Sequence, residues 1–268
     1  MNKYKPYTFL LLTIIISWSF WITVAISRLN AFSLPIVFLF FFGGLGPMIS
    51  SLVLTYTTLG TEGLKDLWKR LIQFKRIKRI HYIIIFLLIP GICFFAIVFE
   101  TLIFELGFRF EYTFELLISP ISLIFLILFS FFFGPLPEEI GWRGYGLDSL
   151  QERWRPFLAT LILGATWSIW HAPLFFIKGT YQNELGLWSV GFWIFFSSPI
   201  VLSFLITWVY NNSQRSTLSA VLLHFMNNFS GQFFQPSVTA EFIRVIILSI
   251  ITILIMTLWN QNLNVQKK

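Results

Sequence analysis

Long apolar runs dominate the chain, and short polar stretches separate them. Each run is about as long as a helix must be to cross the hydrocarbon core of a bilayer, roughly 20 residues. The pattern therefore predicts an all-α polytopic membrane bundle of about eight transmembrane helices, forming a single membrane domain over residues 1–268. The runs lie at 8–27, 34–58, 81–105, 115–135, 156–177, 187–210, 216–235 and 242–259.

The composition supports this class of protein and excludes several others. Of the 268 residues, 56% are hydrophobic and 12% are charged, whereas a soluble domain carries about 25% charged residues. Disordered chains and ordinary cytosolic enzymes are therefore excluded. The single cysteine, Cys93, lies inside an apolar run, which excludes an intrachain disulfide and a cysteine-rich metal site.

The positive charges are divided unevenly between the loops. With the amino terminus in the cytoplasm, 15 of the 19 Lys and Arg residues fall on the inner side. The positive-inside rule then predicts that both termini are cytoplasmic. The net charge of +7 is mainly a topology signal, and without a binding motif we expect no nucleic-acid partner. The four cations on the outer side are Arg28, Arg109, Lys178 and Arg244.

Two stretches depart from the simple pattern of spans. Residues 62–79 alternate basic and apolar residues at helical spacing, which predicts a basic amphipathic helix on the inner leaflet. The alternative is a solvated linker between the second and third spans. In the second run, residues 43–47 read GGLGP, and small residues with a proline predict a kink or close helix packing there.

Ionisable and amide side chains inside apolar spans are expensive, so they are the first candidates for function. Helix geometry relates them to one another. Glu139 and Arg143 are four residues apart and can pair, which leaves Glu138 free. His224 and Asn228 share a helix face, whereas Asn227 points about one hundred degrees away. The candidates are Glu138, Glu139, Arg143, His171, His224, Asn227 and Asn228.

This set of residue types points to hydrolysis. A carboxylate can remove a proton from water, and His and Asn can donate hydrogen bonds to an oxyanion. Alternatively, Glu138, His171 and His224 could hold a catalytic zinc with water as the fourth ligand. The structural alternatives are a satisfied core histidine and an ordinary Glu139–Arg143 salt bridge.

Taken together, these motifs resemble the CPBP family of intramembrane proteases, which includes type II CAAX prenyl endopeptidases and bacterial Abi-type proteins. The family pattern is EExxxR, then FxxxH, then HxxxN. Trp167 replaces the Phe of the second motif, a change of one aromatic residue for another to which we give little weight. The resemblance covers the core at about 130–235 by motif. The matching residues are Glu138, Glu139, Arg143, His171, His224 and Asn228.

The resemblance implies a helical core with a polar cavity open to the cytoplasm and peptide-bond hydrolysis at the membrane. It implies that Glu138 is the catalytic base and that His171, His224 and Asn228 complete the site. Glu139 and Arg143 would support them. A metal-dependent endopeptidase, with zinc as its cofactor, is the form that the resemblance favours.

The main competing hypothesis is a noncatalytic membrane regulator or bacteriocin-immunity protein on the same scaffold. The intact site residues favour the enzyme. A transporter would be expected to show internal repeats or paired broken helices, and we find neither. The partners expected are therefore the lipid bilayer and a membrane-associated peptide or protein, prenylated if the activity is of the CAAX type. A composition rich in Phe, Ile, Asn and Lys suggests a low-GC bacterium and hence the plasma membrane.

Overall fold

The computed structural model describes residues 4–105 and 110–258, and all regular structure among them is helical. This confirms the all-α prediction. A π-helical segment at Trp142–Gly146 joins α7 to α8, and short 3₁₀ helices lie at Phe74–Arg76 and Ala172–Phe176. The α-helices are α1 (Pro6–Ser27), α2 (Ile36–Gly44), α3 (Gly46–Ile72), α4 (Arg79–Ile103), α5 (Glu111–Ile118), α6 (Pro120–Phe132), α7 (Pro135–Gly141), α8 (Leu147–Gln151), α9 (Pro156–Trp170), α10 (Tyr181–Leu185), α11 (Val190–Asn212), α12 (Thr217–Phe234) and α13 (Val238–Leu258).

Six helices of the described residues are long and apolar enough to cross a membrane, and the bent pair α2–α3 would make seven. Helix α12 is not among them, because its His, Asn and Gln side chains lower its mean hydropathy. The count of eight spans stays a prediction. The six are Pro6–Ser27, Arg79–Ile103, Pro120–Gln151, Pro156–Phe176, Val190–Asn212 and Val238–Thr257.

The topology prediction rests partly on residues that the structure does not describe. Lys3, Arg109, Lys267 and Lys268, together with residue 259 of the last predicted span, lie outside the described residues. The cytoplasmic location of both termini therefore stays a prediction.

The predicted kink occurs at Leu45, where α2 and α3 meet at an angle of 49°. Pro47, in the first turn of α3, packs directly against Gly141 of α7. A Cβ atom on residue 141 would lie 2.4–2.6 Å from the side chain and backbone of Pro47. Only glycine allows this approach. The kink therefore helps to position α7, which carries Glu138 and Glu139.

The basic segment is helical over a shorter stretch than predicted. Helix α3 passes through a non-helical Gly60 (φ 70°) and ends at Ile72, and α4 starts only at Arg79. The prediction of one helix over 62–79 is therefore wrong at its carboxyl end. Trp68 and Ile72 are exposed beside the lysines, as expected for a helix at a membrane surface.

Arg70 is the exception among these basic residues, because it turns into the protein and is 4% exposed. Its guanidinium donates to Asp148 Oδ2 at 2.8 Å, to the Tyr210 hydroxyl at 2.7 Å and to the Gly144 carbonyl at 2.8 Å. Arg215 pairs with the same aspartate. We call the end of the bundle that holds this Arg70–Asp148–Arg215 cluster the basic end.

A buried aromatic layer supports the middle of the bundle. Trp142 of the π-helical segment packs edge-on against Trp170 of α9 at a centroid distance of 5.9 Å, and Trp170 contacts Trp21 of α1 at 4.6 Å. The indole N–H of Trp170 donates to Ser17 Oγ at 2.6 Å. These contacts fix α7 and α9, the two helices that bring the candidate residues together.

Candidate functional site

Glu138 lies in the first turn of α7, and Gly134 makes that turn possible. Gly134 has φ 136°, a conformation that side chains of other residues strongly disfavour. Its carbonyl accepts the first hydrogen bond of the helix, from the Glu138 backbone N–H at 2.9 Å. The glutamate is thereby held at the wall of a cavity, with 7% of its surface exposed.

The two carboxylate oxygens of Glu138 have different surroundings. Oε2 accepts a hydrogen bond of 2.6 Å from the indole N–H of Trp167. Oε1 borders Gly134, where it would lie 3.5 Å from an added Cβ atom, and the amide nitrogen of Asn228 would lie 3.3 Å from the same point. Oε1 and the Asn228 amide therefore border one small space beside Gly134.

Glu139 is fully buried and engaged by two partners. Both of its oxygens accept from Arg143 Nη1 at 3.0 Å, and Oε1 also lies 2.9 Å from His224 Nδ1. Arg143 is anchored in turn by Ser203 Oγ at 3.0 Å. The Glu139–Arg143 pair forms as the spacing predicts, and the structure adds His224 to it.

Both histidines are held through the same ring nitrogen, Nδ1. His171 Nδ1 lies 2.8 Å from the Trp167 carbonyl oxygen, and His224 Nδ1 faces the Glu139 carboxylate. Because a carbonyl and an ionised carboxylate only accept, each Nδ1 must carry a hydrogen. The Nε2 atom of each ring is left for a water, a substrate or a metal.

Trp167 links all of these groups, a role that its aromatic likeness to Phe does not predict. Its N–H holds Glu138, its carbonyl holds His171, and its ring lies 4.9 Å from the His224 ring and 5.3 Å from the Arg143 guanidinium carbon. Phe could keep the ring contacts but has no N–H group. The sequence does offer one indication of this role, because a Trp in an apolar span needs a hydrogen-bond acceptor for its indole N–H.

Asn227 also lines the cavity and contacts Asn228, although the helical angle predicts that it points away from Asn228. Its Nδ2 donates to Asn228 Oδ1 at 3.2 Å, and its Oδ1 accepts from Arg244 Nη1 at 2.8 Å. Arginine can only donate, so it fixes which end of the Asn227 amide faces it. Asn228 then uses its oxygen as the acceptor, and its N–H groups remain for the cavity. Glu241 balances the charge of Arg244 at 2.7 Å.

A cavity of about 950 Å³ joins these side chains. Glu138, His171, His224 and Asn228 line it, whereas Glu139 and Arg143 do not and lie behind its wall. Asn227, Trp167 and Arg244 are further lining residues. Its lining combines aromatic and polar side chains. The aromatic wall is Phe38, Phe40, Phe41, Phe42, Phe129, Phe132 and Phe133.

The chemical types of the side chains at the site suit a metal ion, but their positions do not. Two imidazoles with free Nε2 atoms, each held through Nδ1, match the usual support of metal-binding histidines. Among residues 4–105 and 110–258, however, no three His, Cys, Asp or Glu side chains are grouped closely enough to hold an ion. The placement of these side chains therefore does not support a metal site, and zinc stays a prediction.

Comparisons with known proteins agree with the motifs. Residues 120–230 match the family model described as type II CAAX prenyl endopeptidase Rce1-like. The chain is also similar to CAAX prenyl protease 2 of Methanococcus maripaludis, with 30% identity over 236 residues. That alignment covers 86% of this chain and 85% of the archaeal protein.

Proposed function

The chain belongs to the Rce1-like family of type II CAAX prenyl endopeptidases, and we propose that it hydrolyses a peptide bond with water activated by Glu138. The observation that carries this proposal is the asymmetry of the Glu138 carboxylate. Oε2 accepts a hydrogen bond from Trp167, and Oε1 faces the amide of Asn228 across the space beside Gly134. Peptide hydrolysis needs a general base and a hydrogen-bond donor to the oxyanion, and both border this space.

In the proposed mechanism, Glu138 Oε1 removes a proton from water while the water oxygen attacks the scissile carbonyl carbon. The carbonyl oxygen becomes an oxyanion and accepts a hydrogen bond from the Asn228 amide. His224, when protonated and charge-balanced by Glu139, donates from Nε2 to the same oxygen. His171 Nε2 accepts the second hydrogen of the attacking water. The proton on Glu138 then passes to the leaving amine, and the carbon–nitrogen bond breaks.

The cavity also suggests the kind of substrate. Its wall of phenylalanines, from α2 and from α6 with the residue after it, suits an apolar chain, and the polar side chains near Asn228 suit a peptide. A CAAX substrate carries an isoprenoid on a cysteine close to its carboxyl terminus, which combines the two. We therefore propose a peptide bearing an apolar chain as the substrate, with an S-farnesylated peptide as the first probe.

The test is cleavage of a quenched fluorescent peptide, with and without S-farnesyl, by the full chain in proteoliposomes. We expect wild type to cleave the farnesylated peptide and Glu138→Gln to be inactive at an unchanged melting temperature. Glu62→Gln is the matched control, because Glu62 is a solvent-exposed glutamate in the basic segment. Full activity of Glu138→Gln would remove Glu138 as the base. Absence of cleavage by wild type, here and in profiling of membrane proteins, would favour the noncatalytic regulator.

A further inference from the structure

The helical part of the basic segment begins just after Gly60, whose φ of 70° breaks the regular geometry of α3. A helix this short is marginal in water by itself, so its position depends on what its two faces contact. The buried face carries Leu67 and Arg70. Arg70 donates to the Gly144 carbonyl at 2.8 Å, and a Cβ atom on residue 144 would lie 2.6 Å from Leu67 Cδ1. The buried face therefore holds the π-helical segment at the residue next to Arg143.

The exposed face of the same helix carries an apolar strip and a basic strip side by side. Trp68 and Ile72 are four residues apart and form the apolar strip, and Lys65 and Lys69, also four apart, form the basic strip. At about 100° per residue, the two strips lie about 60° apart around the helix. Phe74, just beyond the helix, is exposed as well. Tryptophan beside lysine is typical of helices at a membrane interface, where the ring lies at headgroup level and the ammonium group reaches the phosphates.

The positive charge of the basic segment exceeds what the protein itself neutralises. The segment has seven Lys and Arg residues and two acidic ones, and both acids are already paired, Glu62 with Lys65 and Asp66 with Arg70. Clusters of four or more cations next to a membrane helix are typical of segments that bind anionic headgroups, and the span candidate α4 starts within this cluster. Four exposed cations of the segment make no ion pair within residues 4–105 and 110–258: Lys69, Lys75, Lys78 and Arg79.

An anionic phospholipid combines the two properties that this exposed face requires. Its phosphate suits the cations, and its glycerol and upper acyl chain suit Trp68, Ile72 and Phe74. A soluble phosphate compound would meet the cations and leave these three apolar side chains in water. We propose that the basic segment binds the headgroups of anionic phospholipids in the surrounding bilayer, and that the bound headgroups stabilise the fold by holding α3 against the π-helical segment.

Short-chain lipids test this proposal on the full chain in a non-ionic detergent, with the melting temperature as the readout. The probes are dioctanoylphosphatidylglycerol as the anionic lipid, dioctanoylphosphatidylcholine as the zwitterionic lipid, and glycerol 3-phosphate as a soluble anion. The test variant combines Lys69→Gln with Lys75→Gln. Its matched control combines Arg28→Gln with Lys178→Gln, which removes the same charge from two exposed positions outside the basic segment.

We expect the phosphatidylglycerol to raise the melting temperature in a saturable way, because a ligand that binds only the folded state stabilises it. The phosphatidylcholine and glycerol 3-phosphate should cause no such shift at the same concentrations. Each basic residue near an anionic membrane surface strengthens the attraction roughly fivefold. The test variant should therefore need about 25-fold more phosphatidylglycerol for half of the shift, and the control variant should match wild type.

Several results would overturn the proposal. They are no shift in wild type, an equal shift with phosphatidylcholine or with glycerol 3-phosphate, an unchanged half-point in the test variant, and an equal loss in the control variant. An equal shift with glycerol 3-phosphate would identify a soluble phosphate compound as the ligand instead. The melting temperature does not depend on peptide cleavage, so lipid binding and the proposed function can fail separately.

Discussion

Replacing Trp167 with Phe, the residue usual at this position of the motif, removes one hydrogen-bond donor and keeps an aromatic ring. The donor lost is the indole N–H at 2.6 Å from Glu138 Oε2, in a site where Trp167 is 2% exposed. Without it, Oε2 loses this hydrogen bond, and the carboxylate is held less firmly with Oε1 toward the Asn228 amide. We expect Trp167→Phe to fold and to lose activity.

The size of the loss follows from the kind of bond. Hydrogen bonds to charged groups contribute about 1.5–3 kcal/mol, and each 1.36 kcal/mol changes a rate tenfold. If the bond serves only to hold the base, kcat/KM should fall by about 10- to 150-fold. The assay is cleavage of the farnesylated peptide, with the melting temperature measured in the same detergent.

Trp170→Phe is a closely matched control. Trp170 is also 2% exposed, and its N–H also makes a bond of 2.6 Å, but to the Ser17 hydroxyl rather than to Glu138. We expect it to lower stability with little effect on rate. Equal rate losses in the two Trp variants, or a rate within twofold of wild type in Trp167→Phe, would refute the reasoning.

Other substitutions separate the remaining roles. Glu139→Gln should lower protein yield as well as activity, because removing one partner of a buried ion pair costs about 3–5 kcal/mol; normal yield and melting temperature would contradict this. Asn228→Ala should reduce kcat by about 10²–10³ with little change in KM. Asn227→Asp should approach that loss, because its side chain can only accept and would turn the Asn228 N–H away from the cavity. Glu241→Gln is the control: it keeps Arg244 as the donor to Asn227 and should mainly affect stability. If zinc is the cofactor, elemental analysis of active protein will find it in stoichiometric amount, and His171→Ala will lower it; active protein without metal would exclude zinc.

The helical bundle and the polar residues could be predicted because both depend on local patterns. Run lengths predict membrane helices, and a glutamate four residues before an arginine predicts their pair. The kink at residues 43–47 was likewise readable from its small residues. The number of spans was harder to predict, because the polar side chains of the site make α12 less apolar than the neighbouring helices.

The partners of these residues could not be predicted, because they come from distant parts of the chain. The helical angle separates Asn227 from Asn228 at the backbone, yet the side chains meet because Arg244, on another helix, draws the Asn227 oxygen toward it. Trp167 resembles Phe as an apolar residue, and only the position of Glu138 gives its N–H a role. The same holds for Arg70, whose inward turn depends on Asp148.

The treatment of buried carboxylates distinguishes Glu138 from its neighbours. In the described part of the chain, Asp148 is neutralised by Arg70 and Arg215, Glu139 by Arg143, and Glu241 by Arg244. Glu138 has no ion pair there, and it accepts a hydrogen bond from the neutral indole of Trp167. Glu100 also lacks one, but it bonds to Ser237 and does not line the cavity. Burying a carboxylate without a cation is costly, so its retention beside the cavity, where neighbouring carboxylates are neutralised, argues for a chemical role rather than a structural one.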